Sequence, residues 1–297
     1  MSERRHAPEV LLTEAASLFY LLGGIAPKHL VVVGGLVPPL LLPESPQPHR
    51  GSADIDLVLS VAITKGETAE YYESLEESIR PYFEPAGSGF RWRKRKGAPG
   101  ISLLVDFLGP EAEATTLEDG TLLPEDATAA ANTGEVLRPL PLAAARLVDA
   151  DAETRVVEGV PLVFDPGVRA DVKVRHAGPV GLLASKANAF ETRSDSKDGY
   201  DVSWWCINGG EDPAAVARLV TERPAYRDPD FAEALAILRS AFRERDFPGP
   251  SGYAQEMNPT AGPGDEAYER DRNRAFLTVS GVLEKLLAEL WQPDEVS

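Results

Sequence analysis

Two aspartates one residue apart, Asp54 and Asp56, open an apolar run that continues through Ile55, Leu57 and Leu59. In an extended chain, residues two apart share a face, so the two carboxylates project together while Ile55, Leu57 and Leu59 project the other way. Side-by-side carboxylates repel and strands disfavour aspartate, so the pair is costly as structure alone. A divalent cation removes that cost, and Mg²⁺ prefers carboxylate oxygens together with substrate phosphates. Upstream, Leu30-Val31-Val32-Val33 ends in Gly34-Gly35. A strand that delivers the chain into a glycine turn lets backbone N–H groups approach a phosphate with no side chain in the way. The combination suits metal-assisted chemistry on a phosphate ester, with Gly34 and Gly35 at the phosphates. The plainer alternative is a polar strand entrance with helix-capping duties.

A third carboxylate bears on that choice. Phe90 to Lys96 and Ile101 to Leu108 read as two strands joined through Gly97-Ala98-Pro99-Gly100. In the second strand, alternation puts Ile101, Leu103, Val105 and Phe107 on one face and Asp106 on the other, between Leu104 and Leu108. A lone carboxylate in an apolar strand is expensive unless something pairs with it. If this strand lies beside the Asp54–Asp56 strand, Asp54, Asp56 and Asp106 converge on one cation site.

The elements around these residues follow from periodicity. Residues 8–22 predict an amphipathic helix that stops at Gly23-Gly24, and a second helix is expected near 67–80, ending at Pro81. Five prolines between Leu36 and Arg50 argue for a loop over the site. The acidic, Ala/Thr-rich stretch from 109 to 139 reads as irregular. Short strands are expected at Val160–Phe164 and Val172–Val174. From Pro179 helices take over, at about 179–193, 198–208, 212–222, 229–245 and 266–291, with a Pro/Gly-rich loop from Phe247 to Asp265. An α/β domain over 1–175 and a helical domain over 176–297 are therefore expected.

The 297 residues include 30 Lys and Arg against 47 Asp and Glu, a net charge of −17. Such a surface does not cling broadly to nucleic acid or anionic membrane, so a polyanion would need a local basic patch. Arg91-Trp92-Arg93-Lys94-Arg95-Lys96 is the dense basic run, and it reads equally as a nucleic-acid contact with a base stacked on the tryptophan or as a hairpin protecting a sheet edge. One cysteine, Cys206, cannot form an intramolecular disulfide, and the four histidines show no metal-ligand spacing. A reducing cytoplasm is the expectation, and no apolar run is long enough for a membrane span. Lys186 and Arg193 lie on nearly one helical face, with Asp198 and Asp201 sharing a face at the start of the next helix. Lys186 is either a phosphate ligand or a solvated lysine, and Asp198 either part of a site or a helix cap.

Gly34-Gly35, His49-Arg50-Gly51-Ser52-Ala53-Asp54-Ile55-Asp56-Leu57 and, much later, Lys186, Arg193 and Lys197-Asp198-Gly199-Tyr200-Asp201-Val202 together resemble the AbiEii/AbiGii-type toxin family of the nucleotidyltransferase superfamily. The resemblance implies an α/β fold, a nucleotidyltransferase-like mixed sheet with flanking helices plus a C-terminal helical domain. It implies transfer of a nucleoside monophosphate from an NTP, with Mg²⁺, to an acceptor. Some relatives modify tRNA and are partnered by a cognate antitoxin. Carried over, Ser52, Asp54 and Asp56 match the core motif, Lys186 and Asp201 match the later one as catalytic positions, and Gly34, Gly35, Ser52, Lys186 and Asp198 would bind nucleotide. A tRNA acceptor would meet Arg91, Arg93, Lys94, Arg95 and Lys96. Two other readings stay open, a nucleotidyltransferase acting on a small molecule such as an antibiotic, and a catalytically silent fold used for protein binding.

Overall fold

The aliphatic run Leu30–Val33 forms strand β1, and its four side chains are buried. The computed structural model of the protein describes residues 5–24, 26–59, 74–87, 89–110, 137, 139–193 and 195–290. Their contacts divide the chain into two units, one of residues 1–36 and 50–177, the other of residues 37–49 and 178–297. The chain thus passes to the second unit after Ala177, and residues 37–49, within the stretch expected for the first domain, are counted with the second.

The first unit is built on a mixed sheet. Its strands are β1, β2 (Asp54–Leu59), β3 (Phe83–Pro85), β4 (Arg91–Lys94), β5 (Leu104–Gly109), β6 (Leu140–Pro141), β7 (Glu153–Pro161) and β8 (Arg169–His176). The order is β3-β4-β5-β2-β1-β8-β7, with β6 beside β5. β1 and β2 are antiparallel, β2 and β5 parallel, and β4 and β5 antiparallel. The two strands expected around Gly97–Gly100 are β4 and β5. Helix α1 (Pro8–Leu21) packs on β7 and β8 through Leu11, Ala15, Leu18 and Phe19, all buried. Residues 74–79 are helical, with Leu75 and Ile79 buried. The start of that expected helix and nearly all of the acidic 109–139 stretch lie outside the described residues.

The β7–β8 hairpin is longer than the two short strands expected. Along most of β7 half-buried and exposed positions alternate and no side chain is fully buried, so Glu153, Thr154 and Arg155 open the strand without an apolar face to betray it. A register shift between Val157 and Val160 interrupts the ladder, as a bulge does. Two short helices, α2 (Ala26–His29) and α4 (Ala145–Ala150), complete the described helices of this unit, α4 packing on β1 and β2.

In the second unit, α3 (Val37–Leu41) corrects the first part of the expected proline loop, whereas residues 42–49 carry no helix or strand, as expected. Pro38 and Pro39 fall in the first turn, where no intrahelical N–H partner exists to be lost. Val37, Pro38 and Leu40 are buried against α5 (Pro179–Thr192) and α6 (Ser196–Asn208). The later helices are α7 (Pro213–Thr221), α8 (Pro229–Ala241), α9 (Pro248–Met257) and α10 (Glu266–Leu290). Asp212-Pro213 and Asp228-Pro229 start α7 and α8 by one device, an aspartate that accepts a backbone N–H and a proline in the first turn.

Helix α9 corrects the first half of the loop expected over 247–265, and residues 258–265 are turn and coil as expected. Its prolines also sit in the first turn, and its glycines serve packing. A Cβ on Gly249 would lie 2.5 Å from the Phe242 ring, and one on Gly252 2.6 Å from the Ser196 carbonyl oxygen. From α6, Gly199 faces the Gly249 carbonyl equally closely, at 2.4 Å. Small residues thus let α6 and α9 approach backbone to backbone, beside the stacked rings of Tyr200 and Tyr253. Among the described residues no helix is long and apolar enough to cross a membrane.

Candidate functional site

The antiparallel pairing of β1 with β2 brings the glycine turn and the two aspartates to the same end of the sheet. Val33, the last residue of β1, is opposite Asp56, so Gly34 begins its turn directly against the Asp56 carboxylate. Gly34 has φ of +70°, and a Cβ there would lie 1.9 Å from Asp56 Oδ2. Only glycine satisfies both demands. Gly34→Ala should therefore lower stability by about 1–2 kcal/mol for the left-handed backbone alone and push the Asp56 carboxylate aside. A urea midpoint equal to the wild type's would show that the turn relaxes instead.

The parallel pairing of β2 with β5 supplies the third acid. Asp56 is in register with Asp106, and Asp54 with Leu104. Asp54, Asp56 and Asp106 each offer a carboxylate oxygen within 4.8 Å of the others, a spacing that could hold a metal ion. Asp54 and Asp106 are buried and Asp56 is half-buried. The donor set is entirely carboxylate oxygen, which suits a hard cation and not a soft one.

Supporting contacts hold this end of the sheet. Ser52 Oγ donates to Asp54 Oδ1 at 2.6 Å, so the hydroxyl expected at a phosphate here orients a carboxylate. The Ser52 carbonyl accepts the His6 N–H at 2.8 Å. Gly51, with φ of +76°, would place a Cβ 1.7 Å from the His6 carbonyl oxygen. The N-terminal residues therefore brace the motif, a role the sequence did not indicate.

The basic run is not a continuous cationic surface. Arg91 lies opposite Asp106 and grips both its oxygens, Nε to Oδ1 at 2.8 Å and a terminal nitrogen to Oδ2 at 2.5 Å. Trp92 is fully buried, so it offers no face to a base. Lys94 is buried against Glu14 on α1, with its ammonium near the Phe83 and Phe164 rings. Burial pushes its pKa down, and Glu14 opposes that push. Arg93 and Arg95 reach Glu84 on the neighbouring strand. Alternation along β4 explains the division, since it turns Trp92 and Lys94 inward and Arg93 outward. β4 also lies between β3 and β5, so it guards no sheet edge.

Lys186, Asp198 and Asp201 come together within the second unit. The Lys186 ammonium meets Asp198 Oδ1 at 2.9 Å and Asp201 Oδ2 at 2.5 Å, and is only 4% exposed. Asp201 Oδ1 is 3.0 Å from His49 Nε2, and Arg193 reaches Asp198. Burial alone would lower the lysine pKa, but the two carboxylates outweigh it and hold it above the ordinary range. Burial likewise favours neutral aspartates, yet Lys186 holds Asp201 and Asp198 below theirs. Lys186 is thus neither a solvated lysine nor aimed at open space. The α6 cap is Asp195, not Asp198. His49, buried between Tyr200 and Trp204, joins the cluster from the 37–49 segment. Its signal in the sequence was only its place ahead of Arg50-Gly51-Ser52.

No protein-family model matches the chain, and no curated protein matches it in sequence. Among solved structures, it is similar to the crystal structure of an antigenic nucleotidyltransferase-like protein from Paracoccidioides brasiliensis, at 16% identity and a TM-score of 0.41, over 80% of this chain and 90% of that one.

Proposed function

We propose that the chain is a nucleotidyltransferase that moves a nucleoside monophosphate from an NTP to an acceptor hydroxyl, with Mg²⁺ held by Asp54, Asp56 and Asp106. The observation that carries this reading is the convergence of three carboxylates from two parallel strands beside the Gly34 turn. When bound, the cation would offset charge developing on the phosphate oxygens during in-line displacement. Ser52 fixes Asp54 through its hydroxyl. Gly34 and Gly35 let the backbone approach a phosphate, and Asp106 takes the proton of the acceptor hydroxyl. Lys186, Asp198 and Asp201 serve as the charged interior of the second unit, because a buried ammonium already paired with two carboxylates is poorly placed to reach a triphosphate.

The acceptor is better read as a small molecule than as tRNA. With Trp92 in the core, Lys94 on Glu14, Arg91 on Asp106 and Arg93 and Arg95 both facing Glu84, most charges of the run are answered by acids, which disfavours a polyanion on a −17 protein. A cationic hydroxyl compound, as some antibiotics are, suits that charge. The tRNA acceptor and the antitoxin partner rest on the toxin-family resemblance of the motifs alone.

The test is incubation with each labelled NTP and Mg²⁺, with either total RNA or a panel of small hydroxyl compounds, and Asp54→Asn as the control. Label on a small molecule that vanishes in the variant is expected. Label on RNA ends would instead favour the toxin-like reading. No transfer to any acceptor would leave the silent, protein-binding fold.

A further inference from the structure

Arg91 is the member of the basic run that touches the acidic cluster, and it does so in a particular way. A row crosses the sheet from Asp56 on β2 to Asp106 on β5 to Arg91 on β4, each opposite the next. The guanidinium covers both oxygens of Asp106, and a cation shared with Asp54 and Asp56 must approach one of them. The Asp106 side chain is 8% exposed, but that of Arg91 is 36% exposed. The arginine can therefore leave by rotating its own stem outward, whereas the aspartate stays fixed in the sheet.

We propose that Arg91 is a built-in counter-ion that occupies Asp106 in the metal-free protein and passes to the triphosphate when a divalent cation and nucleotide bind. The proposal rests on the reading of Asp54, Asp56 and Asp106 as a cation site. A guanidinium and a divalent cation compete for the same carboxylate, so free metal binds weakly. A phosphate offers the displaced guanidinium the same two-pronged geometry it had on the carboxylate. Each ligand then lowers the cost of the other, and by linkage metal and nucleotide bind cooperatively. A fixed ion pair that merely ties β4 to β5 predicts no such coupling.

The two roles separate in binding measurements made without turnover. Free Mn²⁺ is titrated by electron paramagnetic resonance into the wild type, Arg91→Gln and Asp54→Asn, and each NTP is titrated in the presence of Ca²⁺. Arg91→Gln is expected to bind free Mn²⁺ about tenfold more tightly, having lost the competitor, and Ca²⁺–NTP about tenfold more weakly, having lost the phosphate partner. Opposite signs are the signature. Affinities that move together, or a wild type that binds no NTP, overturn the hand-over. If Asp54→Asn abolishes Mn²⁺ binding while Arg91→Gln moves neither affinity, the cation site stands and the counter-ion role falls. If Asp54→Asn leaves Mn²⁺ binding intact, the site reading fails and takes this inference with it. Circular dichroism checks folding, and should Arg91→Gln not fold, Arg91→Lys must show the same two signs at smaller amplitude.

Discussion

If the chain transfers nucleotides as proposed, replacing Asp56 with asparagine should lower that transfer by about a thousandfold or more, and should leave the metal-free protein at least as stable as the wild type. A cation at such a site supplies several kcal/mol of charge stabilisation, and each 1.36 kcal/mol lost is about tenfold in rate. Stability moves the other way because Asp56 and Asp106 face each other in register on adjacent strands, where like charges destabilise by up to about 1 kcal/mol. Arg91 offsets the Asp106 charge in part, and asparagine keeps the shape that fits against Gly34. The measurement pairs transfer activity with the thermal midpoint in a chelator. A midpoint several degrees below the wild type's would mark Asp56 as a structural residue, and the low activity would then say nothing about a cation.

The parts of this arrangement that were legible in the sequence are those set by local pattern. The period-two alternation placed Asp54 and Asp56 on one face and singled out Asp106, and the observed register joins all three. Helices α5 to α8 and α10 could be read from apolar spacing, reinforced by first-turn prolines at α5, α7 and α8 and by aspartate caps at α7 and α8. What escaped was decided by tertiary contact. Helices α3 and α9 looked like loops because proline and glycine counts ignore position within the first turn, and glycine's use in close packing depends on a partner helix. The basic run misled because charge density along a chain does not say which cations face acids. Glu14, Glu84 and Asp106 lie on other elements. The Lys186 cluster was seen as a set, but its burial depends on the 37–49 segment and on helix α6, which sequence spacing does not bring together.

Lys186→Met should destabilise the second unit by about 3–5 kcal/mol, the usual cost of leaving a buried charge without its partner. The methionine keeps the stem packing, so the loss is electrostatic. Asp198 and Asp201 would remain, 0% and 3% exposed, with Arg193 and His49 as their counterweights. Adding Asp198→Asn and Asp201→Asn should recover most of the loss, because a buried ionic set replaced as a whole is often near neutral in stability. The pH dependence has a definite sign. The aspartates are held below their ordinary range, so their contribution is complete above about pH 3.9 and is lost as the pH falls further toward the native values. Lys186 is held above its ordinary range, so its contribution is complete below about pH 10.4 and fades only as the pH rises toward the native value. Between those limits Lys186, Asp198 and Asp201 should not make the wild type's urea midpoint pH-dependent. The single variant should instead gain stability as the pH falls toward 4, since without Lys186 the enclosed carboxylates are more readily protonated. A single variant with the wild type's urea midpoint would mean that the ammonium is not enclosed, and would restore Lys186 as a candidate nucleotide ligand.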